Sequence, residues 1–318
     1  MPRALIFPGQ GAQYVGMASE LAQRFPSART LLDQADRALG FALSDIMTNG
    51  PEADLTRTDV SQPAILVASA MSLAVANEAI KPLVCAAVAG LSLGEYTALY
   101  AAGSLDFAQA VKLVRLRGEA MQAAADAVPS GMVALIGADE ASATKLCTEA
   151  AGGEVLTVAN LNATGQVVIS GTRTACARAI ELAKNHGIRR AMSLPVAGAF
   201  HSPLMAPAAE RLRAALAQVK FRNPQWPVYT NVTAKPITDA ADIPDLLVRQ
   251  LTCPVRWAES VIAMQAAGIT EFIELGPGKT LGGMITRTIK DVTCRNLDVP
   301  ADAMALAAAT AVQKKEEG

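Results

Sequence analysis

One serine in the chain lies in a setting that suits a nucleophile. Ser92 is the centre of Gly90-Leu-Ser-Leu-Gly94, a G-x-S-x-G pattern. An apolar run at residues 83–89 predicts a buried strand before it, and residues 95–102 predict a helix after it. Strand, sharp turn and helix are the context of a nucleophile elbow, whose glycines let neighbouring chain segments approach closely. We therefore predict that the Ser92 hydroxyl lies at the positive end of a helix, where developing negative charge is stabilised.

A serine hydroxyl needs an adjacent base to act as a nucleophile, and the chain has two histidines. His186 lies at the predicted end of a helix, where a side chain that can carry positive charge is ordinary. His201 lies in a loop bounded by glycine and proline, residues 196–204, and loops often carry catalytic residues. We therefore predict that His201 is the base that serves Ser92.

The sequence does not identify a carboxylate that would orient this histidine. Hydrolases with such an elbow usually present an acid between the serine and the histidine along the chain. Here the acids between Ser92 and His201 fall mainly in a predicted inserted subdomain. A neutral orienting group and a water-poor site would let an acyl-enzyme survive until its proper acceptor arrives. The alternatives to such an acyl-transfer enzyme are a serine thioesterase or esterase and a catalytically silent scaffold.

The elements that must position these residues alternate between strand and helix. The alternation predicts an α/β domain, hydrolase-like, with a mostly parallel sheet over residues 1–128 and 198–300. Residues 129–197 follow the order β-α-β-β-α-β, which predicts a ferredoxin-like small subdomain inserted into the large one. Within it, residues 160–165 are predicted to connect two paired strands. Residues 301–318 are predicted to form a flexible C-terminal tail.

The composition narrows the class of protein. At 318 residues, with 51% hydrophobic and 18% charged residues, the chain can bury a sizeable core. A formal net charge of −1 gives no whole-chain attraction to nucleic acid. The longest apolar stretch, residues 63–76, is too short to span a bilayer and predicts a buried helix. Because the N-terminus lacks a signal-peptide layout, we expect a cytoplasmic protein, or one in an organelle matrix if a transit peptide has been removed.

The cysteines do not form a recognisable metal or disulfide pattern. None lies in a C-x-x-C pair or near a histidine at ligand spacing. We expect buried, inert thiols in a reducing compartment, and no metal or redox cofactor. The five are Cys85, Cys147, Cys176, Cys253 and Cys294.

Six motifs of this chain recur in the same order in one family of enzymes. They are Phe7-Pro-Gly-Gln-Gly-Ala-Gln13, Gly90-Leu-Ser-Leu-Gly-Glu-Tyr96, Arg115-Leu-Arg-Gly118, Gln166-Val-Val-Ile-Ser-Gly171, Gly198-Ala-Phe-His-Ser202 and Glu274-Leu-Gly-Pro-Gly278. From about residue 3 to residue 297, the chain resembles the malonyl-CoA:acyl carrier protein transacylases, which are also the acyltransferase domains of fatty acid and polyketide synthases. The resemblance implies ping-pong transfer of malonyl from malonyl-CoA to the phosphopantetheine thiol of acyl carrier protein. The product would supply fatty acid synthesis, or polyketide synthesis if the chain is a discrete synthase acyltransferase.

The resemblance also implies a role for each catalytic position. Ser92 matches the acylated nucleophile and His201 matches its base. Gln250 matches the residue that holds the histidine through its backbone carbonyl, which would explain the missing acid. Gln10 and Leu93 match the positions whose backbone N–H groups form the oxyanion hole, and such donors are worth about 10²–10³ in rate.

Two further positions concern the acyl group itself. Arg117 matches the arginine that grips the malonyl carboxylate, a contact suited to the two parallel hydrogen bonds of a guanidinium. Phe200 stands where family members that select malonyl carry phenylalanine, so its bulk predicts rejection of an α-methyl group. Leu91 departs from the family, because most bacterial members have histidine immediately before the nucleophile. The neighbouring histidine is not the base, so the chemistry is unaffected.

The implied partners are malonyl-CoA and an acidic acyl carrier protein, with neither nucleic acid nor membrane, and the family default is a monomer. A local basic rim is expected despite the neutral total charge, because the carrier protein is acidic. The candidates for this rim are Lys184, Arg189, Arg190, Lys279, Arg287 and Lys290.

Overall fold

The computed structural model describes residues 2–316, and the side chains of residues 2–311. The strands in this part of the chain are β1 (Arg3–Phe7), β2 (Ala87–Gly90), β3 (Ser130–Ile136), β4 (Leu156–Ala163), β5 (Gln166–Thr172), β6 (Arg190–Ser193), β7 (Val228–Tyr229), β8 (Pro236–Ile237), β9 (Glu271–Leu275) and β10 (Thr293–Leu297). The helices are α1 (Ser19–Arg24), α2 (Pro26–Leu39), α3 (Leu43–Asn49), α4 (Glu52–Leu55), α5 (Thr58–Ala79), α6 (Gly94–Ala101), α7 (Phe107–Ala127), α8 (Glu140–Ala151), α9 (Arg173–Leu182), α10 (Ala206–Leu216), α11 (Ile243–Gln250), α12 (Trp257–Ala266), α13 (Thr280–Thr288) and α14 (Pro300–Glu316).

The larger sheet is mostly parallel, as the alternation of strands and helices predicts. Its order is β10-β9-β1-β2-β7-β8, in which the first five strands run parallel and β8 pairs antiparallel at the edge. The central strand β1 is apolar on both faces because helices cover both sides of the sheet. Phe7 pairs with Gly90, so β1 and β2 end at the same edge. The loops that follow these two strands are therefore neighbours at that edge, which is where α/β sheets bind ligands.

The apolar stretch in the first third of the chain forms a core helix. Helix α5 runs for 22 residues, longer than the apolar stretch itself. By length and composition it could cross a membrane, but 94% of its most apolar window is buried inside the protein. It packs against α2 and α7, and residues on all its sides are buried, as expected for a helix in the interior of a domain.

The smaller sheet is antiparallel and separate from the larger one. Its order is β4-β5-β3-β6, and α8 and α9 connect its strands in the sequence β-α-β-β-α-β. It has its own apolar core, formed between the sheet and these two helices. The predicted insertion is therefore a distinct layer with its own sheet.

The prediction that residues 160–165 connect two strands of this layer is partly wrong. Strand β4 continues through Asn160 and Asn162 to Ala163, with register shifts on both sides of Leu161. The extension is stabilised by the larger layer, because Leu161 N–H donates to the Val255 carbonyl at 2.9 Å. Such a contact, formed between residues 94 positions apart, cannot be read from local sequence.

The prediction of a flexible tail over residues 301–318 is also wrong for its described part. Residues Pro300–Glu316 form helix α14, which begins with the Asp302 carboxylate accepting the N–H groups of Asp298 and Val299, both at 3.0 Å. Ala303 and Leu306 belong to the main apolar core. Burial of these two side chains holds the helix on the domain. Residues 317 and 318 lie outside the described residues.

The five cysteines are free thiols in the described part of the chain. Three are buried, and Cys253 and Cys294 are half-buried. Burial raises the pKa of Cys85 and of Cys147 to about 12, so these thiols are protonated and unreactive at neutral pH.

Candidate active site

The turn between β2 and α6 has the geometry of a nucleophile elbow. Ser92 has a positive φ of 50°, a conformation that side-chain-bearing residues rarely adopt. A Cβ atom on Gly90 would collide with the backbone of Gly94, and one on Gly94 would collide with the Phe7 carbonyl. Both glycines are therefore required for the elbow to pack against β1. The strand itself is shorter than predicted, because β2 begins at Ala87.

An asparagine from another loop holds this strained turn. The Asn231 Oδ1 atom accepts the Ser92 N–H at 2.6 Å, and its Nδ2 atom donates to the Gly90 carbonyl at 2.7 Å. Asn231 follows β7 and is buried. Its two hydrogen bonds span the elbow from strand end to nucleophile and so stabilise the positive φ.

His201 lies against the nucleophile. Its Nε2 atom is 2.9 Å from Ser92 Oγ, and its Nδ1 atom is 2.7 Å from the backbone carbonyl of Gln250. A carbonyl can only accept, so Nδ1 carries the proton and Nε2 is free to accept the proton of Ser92. Burial, with a smaller contribution from the Arg117 charge, lowers the pKa of His201 to about 4. The imidazole is therefore neutral, the form that a general base requires.

Arg117 reaches the nucleophile from the interior of the protein. The side chain is fully buried, and burial lowers the pKa of its guanidinium. Nη2 donates to Ser92 Oγ at 3.0 Å, and Nη1 donates to Gln62 Oε1 at 2.7 Å. The guanidinium also lies 5.4 Å from the ring centroid of Tyr96. Because Ser92 Oγ accepts from Arg117, its own proton is directed towards His201.

The crossing of two helices places Arg117 there. A Cβ atom on the next residue, Gly118, would lie 2.6 Å from the Thr58 carbonyl oxygen at the start of α5. Glycine therefore lets α7 and α5 approach closely. The close crossing puts Arg117 beside Gln62, which lies one turn along α5.

The side chain of Gln250 joins Arg117 to a buried carboxylate. Its Oε1 atom accepts from Arg117 Nη2 at 2.9 Å, and its Nε2 atom donates to Glu95 Oε2 at 2.7 Å. The same Glu95 oxygen accepts the Asn231 N–H at 3.1 Å. Burial raises the pKa of Glu95 to about 7, although these hydrogen bonds and the Arg117 charge act in the opposite direction.

A cavity of about 670 Å³ opens onto the nucleophile between the two sheets. Ser92, His201, Gln10 and Phe200 line it, together with Asn160 and Asn162 from β4. Arg117 and Gln250 do not line this cavity, and they reach it only through Ser92 and His201. A substrate would therefore enter between the layers and meet the serine before the guanidinium.

The chain matches a known protein family over nearly its whole length. A family described as "acyl transferase domain" matches residues 4–315. The chain belongs to this family. A malonyl CoA-acyl carrier protein transacylase of Escherichia coli strain K12 is 44% identical over 307 residues, covering 96% of this chain and 98% of that protein.

Solved structures support the same assignment of the acyl transferase domain. An acyl carrier protein S-malonyltransferase from Vibrio cholerae is 42% identical with a TM-score of 0.93, covering 96% of this chain and 100% of the other. A malonyl-transacylase solved in complex with a type II PKS acyl-carrier protein is 39% identical with a TM-score of 0.92, covering 97% and 100%. The fold described above is thus one that related chains adopt.

In this acyl transferase domain, four residues predicted from sequence meet at one point: Ser92, His201, Gln250 and Arg117. Leu93 directly follows the nucleophile at the start of α6. In residues 2–316, neither the Gln10 nor the Leu93 N–H donates to a protein acceptor. Leu91, the departure from the family, lines the cavity and packs with apolar residues between the sheet and α12.

Three residues of the site, Glu95, Gln62 and Asn231, were not predicted from the sequence. Glu95 had a signal in the sequence, because it lies within the Gly90–Tyr96 motif at the start of a helix predicted to be buried. A buried carboxylate needs a polar partner, which here is Gln250. Gln62 lies within a predicted core helix, where a buried amide is a signal of a polar partner. Asn231 follows a two-residue strand and has no comparable local signal.

Proposed function

We propose that this protein transfers a malonyl group from malonyl-CoA to the thiol of acyl carrier protein through an ester on Ser92. The observation that carries the proposal is the contact of Ser92 Oγ with both His201 Nε2, at 2.9 Å, and Arg117 Nη2, at 3.0 Å. One partner is a neutral base, and the other is a buried cation suited to an acyl group that ends in a carboxylate. The relatives named as malonyl transacylases support this substrate.

The first half-reaction acylates the serine. Ser92 Oγ attacks the thioester carbonyl of malonyl-CoA while His201 Nε2 takes its proton. The backbone N–H groups of Gln10 and Leu93 are proposed to donate to the oxyanion of the tetrahedral intermediate. Collapse of the intermediate breaks the C–S bond, and His201 returns the proton to the leaving CoA thiolate. The Gln250 carbonyl holds the imidazole through Nδ1–H throughout.

The second half-reaction reverses these roles. The phosphopantetheine thiol of the carrier protein gives its proton to His201 and attacks the malonyl ester. The C–O bond to Ser92 breaks, and His201 protonates the departing serine oxygen. We propose that the reaction needs neither a metal nor a redox cofactor, since each proton and bond is accounted for by these residues and the two thiols.

Arg117 is proposed to hold the malonyl carboxylate during both steps. Its Nη2 atom donates to Ser92 Oγ, and its Nε atom has no acceptor among the described residues. A carboxylate could therefore be bound by the guanidinium without breaking the contacts to Gln62 and Gln250. Phe200, buried on the cavity wall, is proposed to exclude an α-methyl group beside the carboxylate.

The cavity wall also suits the pantetheine arm. Asn160 and Asn162 present side-chain amides along one edge of the cavity. Asn162 Oδ1 is buried and has no hydrogen-bond partner among the described residues. The amide N–H groups of pantetheine would supply such a partner, because a buried acceptor is costly when unpaired.

The carrier protein is proposed to dock on a basic rim around the cavity mouth. The six basic residues expected to form this rim are all exposed. Lys279 directly precedes α13, whose residues Thr280 and Leu281 line the cavity. Arg287 donates to Gln166 Oε1 at 3.0 Å and so links α13 to the smaller layer. This charge complements an acidic partner.

Several finer assignments are part of the same proposal. The strand order β4-β5-β3-β6 supports a ferredoxin-like topology for the smaller layer over residues 129–197, inserted into a hydrolase-like domain. A monomeric state and a cytoplasmic location stay predictions. The malonyl product is predicted to supply fatty acid or polyketide synthesis.

The experiment that tests the proposal is intact-mass analysis after incubation with malonyl-CoA. We expect a malonyl adduct on the wild-type chain that is absent in Ser92→Ala and is discharged by holo-acyl carrier protein. Release of free malonate without discharge to the carrier would indicate a thioesterase. No adduct would indicate a silent scaffold. Acetyl-CoA is the matched substrate control, and equal labelling by acetyl-CoA would refute the role of Arg117.

A further inference from the structure

Glu95 is a buried carboxylate that the proposed proton transfers do not use. It lies in the first turn of α6, three residues after the nucleophile, and its side chain is 2% exposed. One oxygen, Oε2, accepts from both Gln250 Nε2, at 2.7 Å, and the Asn231 backbone N–H, at 3.1 Å. Gln250 holds His201, and the Asn231 side chain holds Ser92. Glu95 therefore contacts both residues that hold the catalytic pair.

Two acceptors decide which way the Gln250 amide faces, because its Nε2 atom donates to Glu95 Oε2 at 2.7 Å and to the Ser92 backbone carbonyl at 2.9 Å. With the NH₂ group on Glu95, the amide oxygen faces Arg117 and accepts from Nη2 at 2.9 Å. If the amide were rotated by half a turn, its NH₂ group would face the guanidinium, which can only donate. Its oxygen would then face the carboxylate. The contacts to Arg117, to Glu95 and to the Ser92 carbonyl would all be lost, and a buried donor would meet a buried cation.

We propose that Glu95 is a positioning residue that orients the Gln250 amide and thereby holds Arg117 in place to select an acyl group ending in a carboxylate. The inference rests on the proposed function, since it concerns the same malonyl site. Glu95 acts at a distance from the substrate, because the amide of Gln250 stands between its carboxylate and the guanidinium. The selectivity for malonyl over acetyl is the property it controls.

The two hydrogen bonds converge on a single oxygen, which allows a sharp test. In Glu95→Gln, the amide oxygen can occupy the Oε2 position and accept from both Gln250 and Asn231. This variant removes the negative charge and keeps the hydrogen bonds. Glu95→Met has similar length and no acceptor, so it removes both. The comparison of the two variants isolates the acceptor.

The experiment measures the ratio of the rates of Ser92 labelling by malonyl-CoA and acetyl-CoA. A loss of folded protein lowers both rates equally and leaves this ratio unchanged, so a merely structural role would not alter it. We expect Glu95→Met to lower the ratio about tenfold, the effect of weakening one hydrogen bond to a charged group. Glu95→Gln is expected to stay close to the wild-type ratio. Glu271→Gln, which alters a buried glutamate on β9, is the control and leaves the ratio unchanged.

The route through Gln250 is tested by a double-mutant cycle. Gln250→Met removes the amide and keeps the backbone carbonyl that holds His201. We expect Glu95→Met to have no further effect on the ratio in the Gln250→Met background. Equal additional losses in both backgrounds would overturn the proposal, and so would a Glu95→Gln ratio as low as that of Glu95→Met.

The outcomes separate this inference from the proposed function. If the wild-type chain does not prefer malonyl-CoA, the proposed function fails. If it does, and Glu95→Met keeps that preference, only the positioning role fails. Should Glu95→Met not fold, Glu95→Ala removes the same acceptor without adding bulk, and the proposal requires Glu95→Ala to lower the ratio while Glu95→Gln keeps it.

Discussion

Two buried glutamates in this protein meet arginines in different ways. Glu271, on β9, is 2% exposed and forms direct ion pairs with Arg3 and Arg295, each at 3.0 Å. Glu95 is equally buried, but its contact with the guanidinium of Arg117 passes through the amide of Gln250. The first carboxylate joins three neighbouring strands of the sheet. The second leaves a cation beside the nucleophile without a direct counter-charge.

The difference indicates what each cluster is for. A guanidinium already paired with a carboxylate has little to gain from another one, so Arg3 and Arg295 serve the fold. Arg117 is buried, and its Nε atom has no acceptor among the described residues. An uncompensated buried cation is costly to the free protein, and an incoming carboxylate relieves that cost. Arg117 can therefore still bind a carboxylate, whereas Arg3 and Arg295 are already paired with Glu271.

The largest effect is expected when Arg117 is removed. In Arg117→Ala, the malonyl carboxylate would lose its charged partner in a buried site, so malonyl labelling of Ser92 falls about 100-fold or more. Acetyl labelling, which does not use the carboxylate contact, falls by less than about tenfold. Labelling rates are read by intact mass on variants shown to be folded by circular dichroism. Arg295→Ala is the control from the structural cluster, and a matching loss of malonyl labelling in it would break the comparison.

The two glutamates are expected to respond oppositely to neutralisation at pH 8. Glu271→Gln breaks the ion pairs of a buried carboxylate with two half-buried arginines and lowers the free energy of unfolding by about 3 kcal/mol. Glu95→Gln keeps its hydrogen bonds and removes a charge that the interior disfavours, so it raises this free energy. Urea denaturation measures both.

The stabilisation expected from Glu95→Gln depends on pH, because it exists only where Glu95 of the wild-type chain is charged. The pKa of Glu95 is about 7 in the folded protein, above its ordinary value of 4.5, so the native state binds the extra proton between these values. Wild-type stability therefore decreases as the pH rises from 4.5 to 7. The advantage of Glu95→Gln is expected to vanish below pH 4.5 and to level off above pH 7. An advantage independent of pH would show that the Glu95 charge is already compensated.

The uncompensated charge of Arg117 is also expected to act on His201. With a pKa of about 4, the imidazole stays neutral at pH 5, and acetyl labelling of Ser92 falls about tenfold per unit only below pH 4. In Arg117→Ala, the midpoint of this pH profile moves upward, because one source of repulsion is removed while burial remains. A midpoint near 6.5 in the wild-type chain, the ordinary value for histidine, would contradict this description of the site.

The smallest effect is expected on the apolar side of the cavity. Phe200→Ser opens space beside the acyl chain, so labelling by methylmalonyl-CoA rises about tenfold relative to malonyl-CoA. The preference of the variant for malonyl over acetyl stays as in the wild type, since Arg117 is unchanged. Loss of that preference would mean that charge and size are not selected separately.

Much of the site could be predicted because its signals are local. The glycines around Ser92 reflect a turn in which neighbouring backbone leaves no space for a Cβ atom. The loop position of His201 and the order of the motifs pointed to the base and to the family. The sequence did not reveal α14 as a packed helix, since its alanine-rich composition lacks a strong apolar stripe. Only the burial of Ala303 and Leu306 distinguishes it from a tail.

What the sequence by itself determined is the kind of chemistry: an elbow serine, a loop histidine, and an alternation of strands and helices. Which residues share the site was decided by the tertiary structure. Gln62, Glu95 and Asn231 come from two helices and the loop after β7, and they meet the side chains of Arg117 and Gln250 because the close crossing of α5 and α7 and the shared edge of β1 and β2 bring them together. A hydrogen bond between residues more than a hundred positions apart in the chain, such as that of Gln250 with Glu95, depends on how whole elements pack, and no local sequence pattern encodes it.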